Sequence, residues 1–114
     1  MPHILLVEDD TAVRLVFLEI LFDVGYEVDA AGSYETGAAL LDSGAAFDLL
    51  ITDRRFPDGS GLTLAAQASA MGVPVLVVTG DTTGLEQASH AVLAKPMRPD
   101  AFLSAVQAIL ASKA

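Results

Sequence analysis

Short apolar runs alternate with longer amphipathic ones along the whole chain, and the two periods separate the elements. Short runs of four or five mostly apolar residues predict strands at His3–Val7, Glu27–Ala31, Leu49–Thr52, Val75–Thr79 and Ala91–Ala94. Helical spacing predicts helices at Thr11–Val24, Tyr34–Ser43, Gly61–Met71 and Pro99–Ser112, with a short one near Thr83–Ser89. Gly25 and Gly44 are placed to end the first two helices in the left-handed conformation that Gly tolerates. Asp10 or Thr11, and Ser33, stand where N-caps belong, and Pro99 suits a first helical turn. Strand–helix alternation of this kind builds βαβ units, hence a doubly wound five-stranded parallel sheet.

The chemistry lies where the strands stop. Glu8 and Asp9 follow the first strand, Asp53 the third, and Lys95 the last, with Pro96 directly after it. A parallel sheet brings all four to its carboxyl edge, the ligand-binding edge of open α/β sheets. Three carboxylates and one ammonium carry a net charge of −2. Like charges crowded together repel unless a cation joins them. The economical solution is one divalent ion held by oxygen ligands, and Mg²⁺ fits that donor set.

Composition narrows the rest. The chain has 114 residues, enough for one domain with a real core, and 53% of them are hydrophobic against 18% charged. The expectation is a single domain over 1–114 with no output domain attached. No apolar run reaches the roughly 18 residues of a membrane span. The N-terminus turns acidic too early for a signal peptide, so a cytoplasmic location is expected. With no cysteine, disulfides and zinc–thiolate sites are excluded. The net charge of −9 argues against nucleic-acid binding, since phosphate contacts need clustered Lys and Arg and the one basic cluster is Arg54-Arg55. His3 and His90 have no partners at ligand spacing.

Together, Val-Glu8-Asp9-Asp10, Leu-Ile-Thr-Asp53 with Pro57 and Gly61, Val-Val-Thr79-Gly80 and Leu-Ala-Lys95-Pro96 resemble the receiver domain of bacterial two-component response regulators. The resemblance spans the chain in order. It implies a flavodoxin-like (βα)5 fold and a phosphoryl group received on Asp53 from a histidine kinase or a histidine phosphotransfer protein. It further implies that Asp9 binds Mg²⁺ directly and Glu8 through water. The backbone carbonyl of Arg55 would be a further ligand. Lys95 would pair with Asp53 and then with the phosphoryl group, Thr79 would bond a phosphoryl oxygen, and Lys95–Pro96 would be cis. Such a protein promotes only its own aspartyl phosphorylation and dephosphorylation, so it is not an enzyme in the turnover sense.

The chain also departs from that family's pattern. Val92 stands where the family has Tyr or Phe, so the coupling of Thr79 to an inward-turning ring is lost. Lys95 follows Thr79 after only 16 positions, which predicts a shortened fourth helix. Both departures favour a relay or phosphate-sink role over an effector switch. On the first helix, Val13, Val16, Phe17, Ile20, Leu21 and Val24 form the stripe expected to face the sheet. Leu15, Leu18 and Phe22 form a second stripe on the opposite side, expected to dock a kinase or phosphotransfer bundle or a second copy of this chain. Arg55 and Asp81 flank the acceptor with opposite charges that would gate it.

Three other readings compete. The chain would be a receiver excised from a hybrid histidine kinase, an interaction module that keeps the fold without the chemistry, or a metal-dependent phosphatase of the haloacid dehalogenase type. Intact Glu8, Asp9, Asp53, Thr79 and Lys95 argue against the second. The third needs a second Asp two residues after the nucleophile, where this chain has Arg55.

Overall fold

The computed structural model describes residues 1–85 and 90–112. The chain runs β1 (His3–Val7), α1 (Thr11–Asp23), β2 (Glu27–Ala31), α2 (Tyr34–Asp42), β3 (Leu49–Thr52), β4 (Arg55–Phe56), β5 (Gly59–Ser60), α3 (Gly61–Ala70), β6 (Val75–Thr79), β7 (Ala91–Ala94) and α4 (Pro99–Ser112). Five strands form one sheet in the order β2-β1-β3-β6-β7, every pair parallel. This is the doubly wound order of the flavodoxin-like fold. The expected short helix near Thr83–Ser89, and with it the shortened fourth helix, falls largely on residues 86–89, outside the described residues. Before them, a turn closes with the Leu85 N–H on the Thr82 carbonyl at 3.0 Å.

Alternation along the buried strands sends side chains to both faces, so the sheet has two cores. Ile4, Leu6, Leu49, Ile51, Leu76 and Val78 meet α1 and α4, where Phe17 stacks on Phe102 with ring centroids 4.4 Å apart. Leu5, Leu50, Val75 and Val77 meet Leu41 of α2 and Leu64, Ala65 and Ala68 of α3 on the other face. Leu85 and Val92 pack into that second core as well. Away from the sheet's carboxyl edge, His3 at the amino end of β1 bonds Asp29 at 3.0 Å.

The caps follow the local chemistry. Asp10 accepts from the Val13 N–H at 3.0 Å and Ser33 from the Thr36 N–H at 3.1 Å, while Gly25 and Gly44 take φ of 88° and 89°. One device is non-local. Asp58, in the tight β4–β5 hairpin, accepts from the N–H groups of Tyr34 and Glu35 at 3.0 Å each. Those bonds, led by the one from Glu35, hold its carboxyl below the usual aspartate range.

The helix stripes need correction. Val16 is 53% exposed, and Val24, the C-cap beyond the last helical turn, is 39% exposed. Leu18, expected outside, is instead partly buried against the α1/α4 core. Phe17 and Leu21 set the buried direction, and Val16 and Leu18 lie about 100° to either side of Phe17. The helix is rolled so that the Leu18 flank turns inward and the Val16 flank outward. Its solvent face therefore carries Leu15, Val16 and Phe22.

Gly61 couples the fold to the sheet edge. A Cβ there would lie 1.6 Å from the Asp53 carbonyl oxygen, and the Gly61 N–H donates to the Arg54 carbonyl at 2.7 Å. Only a residue without a side chain lets α3 start this close to the loop after β3. Gly61→Ala should lower folding stability by about 1–3 kcal/mol through overpacking, read as a fall in the urea midpoint. An unchanged midpoint would show that the loop yields freely.

Candidate functional site

The parallel register ends β1, β3, β6 and β7 at one edge, and the backbone carries the four loops on from there. The Glu8 N–H donates to the Ala31 carbonyl, the Asp53 N–H to the Val7 carbonyl, and the Lys95 N–H to the Thr79 carbonyl. These bonds fix where the side chains after each strand begin. Carboxylate oxygens of Glu8, Asp9 and Asp53 all lie within 4.8 Å of one another.

Lys95 ties two of them. Its Nζ donates to Asp53 Oδ2 at 2.9 Å and also to Glu8 Oε1. The peptide that follows, Lys95–Pro96, is cis. Asp53 Oδ1, the other oxygen, accepts from the Arg54 N–H at 2.6 Å. Asp9 is exposed at the mouth of the cluster, whereas Glu8 is only 1% exposed.

That burial sets the electrostatics. Loss of solvent pushes the Glu8 carboxyl above the ordinary glutamate value, against the opposing pull of the Lys95 ammonium. Burial by itself would lower the Lys95 pKa, but its hydrogen bonds to Glu8 and Asp53 outweigh burial and raise it, so the ammonium stays charged at neutral pH. One ammonium cannot balance three carboxylates. An all-oxygen donor set with this surplus of negative charge, open on the Asp9 side, fits a hard divalent cation of the Mg²⁺ type.

Thr79, only 4% exposed, ends β6 beside Lys95. Its hydroxyl accepts from the Asp81 N–H at 3.1 Å and donates to the Asp81 carbonyl at 3.3 Å. Arg55 and Asp81 do meet, with Arg55 Nη1 2.8 Å from Asp81 Oδ2. The Arg55 guanidinium, followed by the Thr83 bonds, holds the Asp81 carboxyl well below the usual aspartate range. A depressed pKa means the pair's contribution is present at neutral pH and is lost only as pH falls below the ordinary range through the lowered value. Both side chains are substantially exposed, so salt screens the pair.

Sequence reasoning missed Arg54. Its guanidinium reaches across to the Asp81 carbonyl at 2.8 Å, a contact 27 positions apart that no local pattern encodes. It also missed a groove of about 350 Å³ between α1 and the loop after β7, lined by Val13, Val16, Phe17, Lys95, Pro96 and Met97. No helix among the described residues is long and apolar enough to cross a membrane.

Comparison with known proteins agrees with this geometry. Residues 4–107 match the family model described as the response regulator receiver domain. The chain is 34% identical over 116 residues to protein PetR of Rhodobacter capsulatus, covering 96% of this chain and 48% of that protein. It thus spans about half the length of curated relatives such as PetR and the transcriptional regulatory protein AruR of Pseudomonas aeruginosa. Among solved structures, a response regulator receiver protein from Sinorhizobium medicae superposes with a TM-score of 0.90 at 28% identity, covering 99% of this chain and 97% of that one. The receiver domain of the hybrid histidine kinase CckA superposes with a TM-score of 0.82 at 32% identity, covering 95% and 98%. Sheet order, strand-end chemistry and these matches converge: the chain belongs to the response regulator receiver domain family, the phosphoacceptor module of two-component signalling.

Proposed function

We propose that Asp53 is the phosphoacceptor and that the surrounding residues serve its chemistry. The observation that carries this reading is the meeting of Glu8, Asp53 and Lys95 through one ammonium at the sheet edge. An Asp53 oxygen attacks phosphorus, the new O–P bond forms as the bond to the donor breaks, and the donor leaves with the electron pair and a proton. The Arg54 N–H on Oδ1 holds the carboxylate's orientation, and Lys95 on Oδ2 moves its charge to the phosphoryl oxygens as they arrive. Thr79 then donates its hydroxyl to a phosphoryl oxygen. Asp9, Glu8, Asp53 and the Arg55 backbone carbonyl are the donors for Mg²⁺, which when bound offsets charge on the transferring group. The chain acts on itself, in the cytoplasm, and turns over no separate substrate.

A histidine kinase or histidine phosphotransfer protein is the donor, docking on the solvent face of α1. Leu15 is 58% and Phe22 54% exposed, and Val16 joins them to the groove that ends at Lys95. Leu18 no longer belongs to that surface, because it packs inward. A helical bundle lying there would cover apolar area and reach the acceptor edge together.

Three measurements test this. Incubation with acetyl phosphate and Mg²⁺ should add one phosphoryl mass to the wild type and none to Asp53→Ala or without metal; an adduct retained on Asp53→Ala would sink the assignment. Free Mg²⁺ at about ten times its Kd should stabilise the fold by roughly 1.4 kcal/mol, an effect lost in Asp9→Asn. The double variant Leu15→Glu, Phe22→Glu should slow phosphoryl transfer from a phosphorylated donor bundle while acetyl phosphate labelling stays unchanged. If neither transfer rate nor oligomeric state moves, the docking face lies elsewhere.

A further inference from the structure

Arg54 ties the loop after β3 to its surroundings through both its backbone and its side chain. Its N–H orients Asp53 Oδ1 at 2.6 Å and its carbonyl receives the Gly61 N–H at 2.7 Å. Its side chain is 15% exposed and donates from Nη1 to the Asp81 carbonyl at 2.8 Å, with an Asp81 carboxylate oxygen 3.7 Å away. The same Asp81 carbonyl accepts the Thr79 hydroxyl at 3.3 Å. One acceptor therefore joins the loop that carries Asp53 to the hydroxyl at the end of β6.

A threonine hydroxyl has one proton to give. If Thr79 donates it to a phosphoryl oxygen on Asp53, the Asp81 carbonyl loses that donor. A carbonyl stripped of its only partner away from water costs free energy, which would hold Thr79 back. Here the carbonyl keeps a charge-assisted bond, the shorter of its two. The hydroxyl can thus redirect its proton without orphaning that carbonyl, while its oxygen goes on accepting from the Asp81 N–H and the loop stays anchored across the site.

We propose that Arg54 is a positioning residue for Thr79: it pins the Asp81 carbonyl, so that the hydroxyl is both held in register with Asp53 and free to be handed over. This rests on the reading of Asp53 as phosphoacceptor. A clasp that only stabilises the fold would act equally whether or not residue 79 has a hydroxyl, and that difference can be measured.

The experiment compares initial phosphorylation rates with acetyl phosphate and Mg²⁺, by intact mass, for wild type, Arg54→Met, Thr79→Val and the double variant. Urea midpoints are taken in parallel. Arg54→Met should slow labelling about three- to tenfold in the wild-type background, the share expected of one hydrogen bond. In the Thr79→Val background the same change should cost less than about twofold, because the hydroxyl it positions is gone. Arg54→Lys, which keeps a cationic donor, should retain at least about half of the wild-type rate. It also serves as the probe if the Met variant does not fold. Equal losses in both backgrounds, a wild-type rate for Arg54→Met, or Arg54→Lys no better than Met each overturn the proposal while leaving Asp53 as acceptor. No adduct on the wild type removes both readings together.

Discussion

Lys95 is bound to carboxylates that start from two other strands, and the architecture of the site follows from making that possible. In the sheet, β7 is three neighbours from β1 and two from β3. At about 4.8 Å per neighbour, β1 and β7 are some 14 Å apart, farther than a four-carbon stem spans. The gap is closed by the side chains of Lys95, Glu8 and Asp53, which reach toward one another over the strand ends from start points set by the backbone bonds of Glu8 to Ala31, Asp53 to Val7 and Lys95 to Thr79. Gly61 lets α3 begin against the Asp53 carbonyl and closes the remaining side. A nearly inaccessible Glu8 is tolerable only because the ammonium reaches it. Removing that cation would leave a buried charge unpaired beside two more carboxylates.

What could be read directly from the residues was whatever repeats or is local. All five strands of the sheet fall on the expected residues: fully buried runs such as Leu49–Thr52 have one plausible state between their flanking breakers, and the partly exposed edge strands Glu27–Ala31 and Ala91–Ala94 are picked out by their place in the strand–helix alternation. Asp10 and Ser33 cap where expected because capping joins residues three apart. Once the strands are known to be parallel, the arrival of Glu8, Asp9, Asp53 and Lys95 at one edge follows from topology, with no knowledge of any side-chain rotamer.

The misses have one cause in common, which is dependence on distant neighbours. Periodicity on α1 gives the angles between side chains but not the roll of the helix against the sheet, so Val16 and Leu18 exchanged places. The two-residue strands of the β4–β5 hairpin are too short to carry a period. Asp58 bonds a helix that starts 24 positions earlier, and Arg54 reaches a carbonyl 27 positions later. Thr79 was placed by its strand end, but the partner of its hydroxyl is set by how the next loop turns back.

The few cations of this acidic chain are concentrated at the site edge, among its carboxylates. The chain carries 6 basic residues against 15 acidic ones, and Arg14, Arg54, Arg55 and Lys95 all gather at this one edge. Arg14 spends its Nη1 on the Glu8 carbonyl at 2.7 Å, so its charge stands beside the cluster without neutralising any carboxylate directly. The side chains of Arg54 and Arg55 are turned to Asp81, and among the basic side chains of the described residues only Lys95 bonds the Glu8 and Asp53 carboxylates. The field at Asp53 is thus shaped by fixed cations held a short way off by other partners, within an envelope whose net charge of −9 repels polyanions at longer range. Beyond about one Debye length the envelope is screened, while the partly buried cations are screened much less. An anionic group that reaches the edge therefore meets a local field that the bulk charge of the protein does not describe.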